Sequence, residues 1–258
     1  MKTTNSFAIA SLLAAVTPGA EALSTPAAPP PTIAHKDFLQ ANSSDDIVAL
    51  PGEVDVTAAY ASSTFPISPS ALINRAKQIL SPAIGVGTQD SGACLSDDFE
   101  FVAAVVGPIN KSEYLGALGS FKLQESFDIQ QNYYGFTVDP LMTNRVWFFD
   151  RQIAKQIAPF MGVKPPPATS ATRELILPPQ LFHMDFNEQG LVKEFGFYTI
   201  DRRQCNTGGL GGAFGYFFGV GKPLPIRECQ PYKPSFRFRM LQWIGNVGKR
   251  LSKKNKKE

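Results

Sequence analysis

The chain has 258 residues, 43% of them hydrophobic and 18% charged, a balance that excludes an intrinsically disordered protein and suffices to bury a core. Its formal charge of +3 hides an asymmetry: residues 222–258 hold eleven Lys or Arg against two Glu, a net of +9, which leaves −6 for residues 1–221. Three cysteines, Cys94, Cys205 and Cys229, are too few and too widely spaced for a zinc site.

The N-terminus opens with Lys2, runs apolar from Phe7 to Val16 and breaks at Thr17-Pro18-Gly19. Residues 1–22 are expected to be a signal peptide, cleaved after Ala22 at the small-x-small site Ala20-Glu21-Ala22, because the apolar run is too short to span a bilayer. Residues 23–67 are rich in Ser, Thr, Ala and Pro and read as a disordered linker, whose start also has the acid-poor composition of a short transit segment. The expected route is the secretory pathway, ending either outside the cell or in a plastid enclosed by extra membranes.

Ordered structure is expected from residue 68. Ser68 can cap a helix that starts at Pro69, carries an apolar stripe at Leu72, Ile73, Ala76, Ile79 and Leu80, and stops before Pro82. Phe99–Val106 reads as a short extended or helical stretch, followed by a helix from about Ser112 with Asn110 or Ser112 as its cap. The segments Asn132–Pro140 and Asn144–Gln152 are aromatic-rich strand candidates, with a turn at Leu141–Asn144 between them, and Glu174–Leu177 begins another. Phe182, Met184 and Phe186 alternate toward the polar turn Asn187-Glu188-Gln189-Gly190. The chain then returns through Val192–Ile200 with Phe195, Phe197 and Tyr198, which predicts a long hairpin.

Helices followed by antiparallel strands make an α+β order rather than βαβ alternation. That order, with the segments Asp97–Leu118, Asn132–Arg151 and Phe182–Arg202, resembles the nuclear transport factor 2-like superfamily, in particular its SnoaL-like and ketosteroid-isomerase-like members, over about residues 72–203. The resemblance implies a curved antiparallel sheet wrapped around helices into a cone, a cystatin-like α+β barrel, with an apolar pocket. The expected domain is residues 68–203, followed by a Gly/aromatic extension at 204–233 and a basic amphipathic tail at 234–258.

Superfamily members include isomerases, cyclases and dehydratases as well as proteins without known activity, so fold alone decides no reaction. Proton-transfer chemistry of the ketosteroid-isomerase type needs a carboxylate and an acidic donor in a dry pocket. Asp139, Asp150, Asp185 and Glu194 are the acids on offer. If Phe182, Met184 and Phe186 face the core, period-two alternation turns His183 and Asp185 to the opposite face, toward solvent or an interface. On the returning strand Val192, Glu194, Gly196, Tyr198 and Ile200 share one face by the same count. Glu194 and Tyr198, roughly 13 Å apart by strand rise, become the candidate catalytic carboxylate and phenol if that face lines the cone.

Tyr134, Arg145, Trp147, Phe148 and Met184 are the candidate walls for a small apolar ligand, while the same aromatic strands also suit plain core packing or a homodimer face. No metal site and no cofactor are expected. The glycine run Gly208–Gly212 lacks the Lys-Ser/Thr and the strand-to-helix setting of a phosphate loop. In the tail, Phe236, Met240, Trp243, Ile244, Val247 and Leu251 recur at helical spacing beside Arg237, Arg239, Lys249 and Arg250. Such a helix suits an anionic membrane surface or docking on the domain, and no specific nucleic acid. Three functions therefore stand together: binding of a small apolar ligand or a partner; a cofactor-free isomerase, cyclase or dehydratase; and a non-catalytic dimerising domain.

Overall fold

The computed structural model describes residues 50–167 and 174–254. The expected signal peptide and the first part of the expected linker lie outside the described residues. The chain divides into two units at Ser63/Thr64. In the first, within the stretch expected to be linker, Val56–Ala61 forms a short helix, α1, because the Asp55 carboxylate accepts from the free Ala58 N–H at its start.

The second unit begins with α2 (Pro69–Leu80), capped by Ser68 as its sequence demands, with Leu72, Ala76 and Ile79 buried along one stripe. Strand β1 (Leu95–Phe101) and the two-residue β2 (Ile109–Asn110) lead into α3 (Lys111–Phe121). Asn110 and Glu113 form a reciprocal capping box there, each side chain accepting from the other residue's backbone N–H. After α4 (Leu123–Ser126) come the strands β3 (Phe127–Gln130), β4 (Tyr134–Val138), β5 (Arg145–Asp150), β6 (Ile153–Gln156) and β7 (Leu175–Ile176). The predicted hairpin is β8 (Gln180–Phe186) and β9 (Val192–Thr199). Its turn is held by Asn187, whose side-chain oxygen accepts from Gln189 and Leu191, with Gly190 at φ 72°.

The main sheet is six-stranded, in the order β2-β1-β9-β8-β5-β4. The expected α+β class and curved antiparallel sheet are present; the sheet is open rather than closed into a barrel, and one of its pairs, β1 with β9, is parallel. Helices α2 and α3 pack against the sheet, α2 on β4 and β5 and α3 on β1 and β2. The helix-covered face is a continuous aromatic array. Phe148 stacks on Phe136 at 5.0 Å and on Phe182 at 5.3 Å, Phe182 meets Phe195 and Phe197, and Phe101 carries the array to Tyr114 of α3. Each such pair contributes roughly 0.5–1.5 kcal/mol beyond its buried area.

A second sheet, β3-β6-β7, was not anticipated, nor was the helix α5 (Gly212–Gly219) that covers it. Tyr216 and Phe217 of α5 and Cys229 are buried against Phe127, Ala154, Phe160, Leu175 and Leu177, so the Gly/aromatic stretch is part of a core rather than an appendage. Its glycines permit close approach: a Cβ on Gly219 would lie 2.7 Å from Leu175 and one on Gly215 2.6 Å from the Leu210 carbonyl. All three cysteines are free, and Cys229 Sγ accepts from the Leu224 N–H. The chain ends in α6 (Phe236–Lys254).

Two substitutions test this packing. Gly196→Ala would place its Cβ 1.7 Å from the Val102 carbonyl, where the chain beyond β1 bonds to β9, and is expected to destabilise by about 3 kcal/mol or more in urea unfolding. Phe217→Ala, in the second core, is expected to lose about 3–5 kcal/mol in the same measurement; a loss below 1 kcal/mol, roughly that of a surface change, would mean that α5 does not dock.

Candidate functional site

The register of three strands sorts the polar residues onto two faces. Strand β8 pairs with β5 as Arg145↔Asp185, Trp147↔His183, Phe148↔Phe182 and Asp150↔Gln180, and with β9 as Asp185↔Glu194, His183↔Gly196 and Phe182↔Phe197. Directly opposed residues share a face. Arg145, Trp147, His183, Asp185, Glu194 and Tyr198 therefore lie on the side away from the aromatic array, while Phe148, Asp150, Gln180, Phe182 and Met184 lie on the helix-covered side.

On the outer side Arg145 pairs with both Asp185 oxygens, the Nη2 bond being 2.7 Å, and reaches Glu194 at 3.1 Å. His183 Nε2 lies 2.9 Å from the same Glu194 oxygen. A carboxylate only accepts, so Nε2 carries the proton and Nδ1 is the buried lone-pair nitrogen without a partner. Trp147 and Tyr198 close over the imidazole at 5.5 and 5.7 Å, and Trp147 donates to Asp139. The expectation that His183 and Asp185 face solvent is thus corrected. Their face is the one derived from alternation, but His183 is 0% and Asp185 7% exposed, because β8 is central in the sheet and neighbouring side chains cover both its faces. Burial, and then the Arg145 charge, hold the His183 pKa below its ordinary value.

Glu194 and Tyr198 share this outer face with His183 and Asp185, and Tyr198 is exposed. They do not face the helices as a cone-lining pair would. The cause is a bulge between Asp185 and Phe186: Val192 pairs with Phe186, whereas Glu194 pairs with Asp185, so the two fall on different faces despite being two apart. His183, Asp185 and Glu194 could in principle ligate a metal, with ligand atoms within 4.8 Å of one another. The guanidinium of Arg145 already sits on both carboxylates, so the group's cationic partner is supplied by the chain itself.

The five expected ligand-wall residues are also divided. Phe148 and Met184 are fully buried on the helix-covered side, Arg145 and Trp147 lie on the outer side, and Tyr134 is exposed, stacked on Phe149 at 5.1 Å.

The helix-covered face holds a different polar group. Asp150 ends β5 one alternation beyond Phe148 and is 0% exposed; Oδ1 accepts from the Asn132 N–H at 3.0 Å, and Oδ2 has no partner. Gln180, its cross-strand neighbour, is also 0% exposed. Gln180 Oε1 accepts from Gly212 N at 2.9 Å, which turns its Nε2 away, buried and without a partner. Gly211 fits beside this amide only because it lacks a side chain, since a Cβ there would lie 2.6 Å from Oε1. The glycine run is thus the seat of Gln180, which agrees with the absence of a phosphate-loop pattern.

Burial pushes the Asp150 carboxyl above the usual carboxylate range, opposed in part by the Asn132 amide, the nearby Gln152 side chain and the Arg151 backbone. The phenols of Tyr133 and Tyr216 are raised by burial and then by the Asp150 charge. Tyr216 donates to Gln152, and Tyr133 lies edge-on to Phe148. Asp150 was legible in the sequence as one of four candidate acids and, with Arg145, as a group that could polarise one end of a ligand between the aromatic strands; Gln180 was missed. Extending the Phe182, Met184, Phe186 alternation back by two reaches Gln180. The NRVWFFD segment is ambiguous because both of its faces carry aromatics.

No family model matches the chain, and no curated protein matches it. Solved structures resemble it at low identity. An LEH-like epoxide hydrolase from M. tuberculosis is 9% identical, aligning 53% of this chain with 86% of its own at a TM-score of 0.39. A protein of Jannaschia sp. CCS1 provisionally described as a SnoaL-like polyketide cyclase is 16% identical, aligning 53% with 88% at a TM-score of 0.36.

The two buried titratable groups make opposite demands on pH. His183, with a folded pKa below its unfolded value, contributes stability above about pH 6.5 that is lost as pH falls. Asp150, with a raised folded pKa, contributes most below its unfolded value near 3.8 and loses that contribution as pH rises through the folded one. Asp150→Asn is therefore expected to raise the Tm relative to wild type at about pH 8, with the gain shrinking at about pH 4, while His183→Gln flattens the fall in Tm between about pH 7 and about pH 5. Thermal melts across that range check both; an Asp150→Asn gain independent of pH would show that the carboxyl titrates alike in the folded and unfolded chain.

Proposed function

We propose that the chain binds a small, flat, largely apolar molecule carrying one hydroxyl or enol oxygen, with that oxygen placed between Asp150 and Gln180. The observation that carries this reading is a register-paired acceptor and donor, Asp150 Oδ2 and Gln180 Nε2, both buried and both without a partner. An unsatisfied buried polar atom costs about 1–3 kcal/mol, so a fold that keeps one on each of two paired residues gains from a guest that satisfies both. A hydroxyl does so with one oxygen: it donates to the carboxylate and accepts from the amide. Phe148 and Phe182, beside these two residues on the same face, supply the apolar surroundings such a guest requires.

A second reading follows from the same atoms. A carboxyl whose pKa burial has raised is suited to take a proton next to a carbonyl, the step that a cofactor-free isomerase, cyclase or dehydratase needs, and Tyr133 is the candidate phenol to donate to the developing enolate, although burial makes it a weaker acid. In this reading Asp150 and Tyr133 hold the roles that the sequence suggested for Glu194 and Tyr198.

Binding is tested with 2-naphthol against naphthalene by calorimetry on the full chain. The expected result is tighter binding of the naphthol by about tenfold, reduced to parity in Asp150→Ala and in Gln180→Leu, with both variants shown to be folded by circular dichroism. Naphthol affinity unchanged by both substitutions would mean that ordered water alone satisfies the pair.

A further inference from the structure

We infer that α6 is a docking element for an anionic lipid surface, lying in the plane of the bilayer. Along this 19-residue helix Phe236, Met240, Trp243 and Ile244 fall on one stripe at helical spacing, and all four are exposed, Phe236 at 79% and Trp243 at 66%. Leu241 borders them and is exposed as well. In the sequence Val247 and Leu251 continue the same spacing. The alternative of a helix docked on the domain through this stripe is not what the fold adopts.

The occupant is selected by charge. Between Glu228 and Glu258 there is no acidic residue, while residues 233–257 carry nine Lys or Arg. By helical spacing Arg237 borders one edge of the stripe and Arg239 and Arg250 the other, so cations rim the apolar strip on both sides. A second copy of the same helix would bring like charges together. A nucleic acid would meet the cations but leave the apolar stripe in water. An anionic bilayer satisfies both: the stripe enters the boundary between headgroups and acyl chains, Trp243 at headgroup level, while the cations pair with lipid phosphates and carboxylates. Among the described residues no helix is long and apolar enough to cross a membrane, which leaves α6 a surface element.

The test is sedimentation of the full chain with vesicles of phosphatidylcholine alone or with phosphatidylserine added. The expected result is binding to the anionic vesicles, weakened at least about tenfold by high salt or by removal of residues 253–258, and lost in Ile244→Glu with the thermal melt unchanged. Quenching of tryptophan fluorescence by brominated lipid is expected in wild type and absent in Trp243→Phe. Equal binding to both vesicle types, binding that survives Ile244→Glu, or no binding would each overturn the inference. So would concentration-dependent dimers that Ile244→Glu dissolves, because a second copy would then be the occupant. None of these outcomes depends on Asp150 or Gln180.

Discussion

The alignment of β8 between β5 and β9 is the constraint on which the rest of the molecule depends. In that register Phe148, Phe182 and Phe197 fall in one row across three strands, and Arg145, Asp185 and Glu194 in another on the opposite face. A slip of β8 by one residue would turn His183 and Asp185 under the helices and Phe182 and Met184 to the opposite face. The stacking of the rings and the fork of Arg145 on Asp185 therefore hold the same alignment from opposite sides. The single bulge near the turn lets β9 obey it while Val192 still reaches the core beside Phe186.

The two polar groups of the sheet differ in how far they are satisfied, and that difference separates structure from chemistry. Around Arg145 the charges answer one another: two carboxylates, one guanidinium and one imidazole N–H leave a single orphan, His183 Nδ1. Such a network specifies strand pairing and has little left to offer a guest. Asp150 and Gln180 are also held by their surroundings, through Asn132 and Gly212, but each is held by one atom while the other points nowhere.

Local signals in the chain were sufficient wherever the structure is local. Ser68-Pro69, the Asn110 and Glu113 box, the aromatic strands at 134–138 and 145–150 and the Asn187–Gly190 turn each form what their residues dictate. Of the second sheet only Leu175–Ile176 was legible, within the strand read from Glu174; Phe127–Gln130 and Ile153–Gln156 are too short to show a period, and pairing with other segments is what makes them strands. The helix Gly212–Gly219 was obscured for a different reason. Three of its eight residues, Gly212, Gly215 and Gly219, are glycines, so its propensity is poor, and it forms because Tyr216 and Phe217 gain a buried core.

By itself the sequence determined the class of fold, the hairpin with its turn, the amphipathic basic helix at the end and the absence of a zinc or phosphate-loop pattern, since these rest on spacing and residue type within short windows. It also determined that His183 and Asp185 oppose Phe182 and Met184, which alternation alone requires. Only the tertiary structure decided that Glu194 joins His183 rather than the core, because a bulge reverses parity without leaving a mark in composition. It alone brought Asp150 beside Gln180, because cross-strand register joins residues thirty apart, and it alone left the α6 stripe bare, because whether an apolar face is covered depends on what the rest of the chain presents to it.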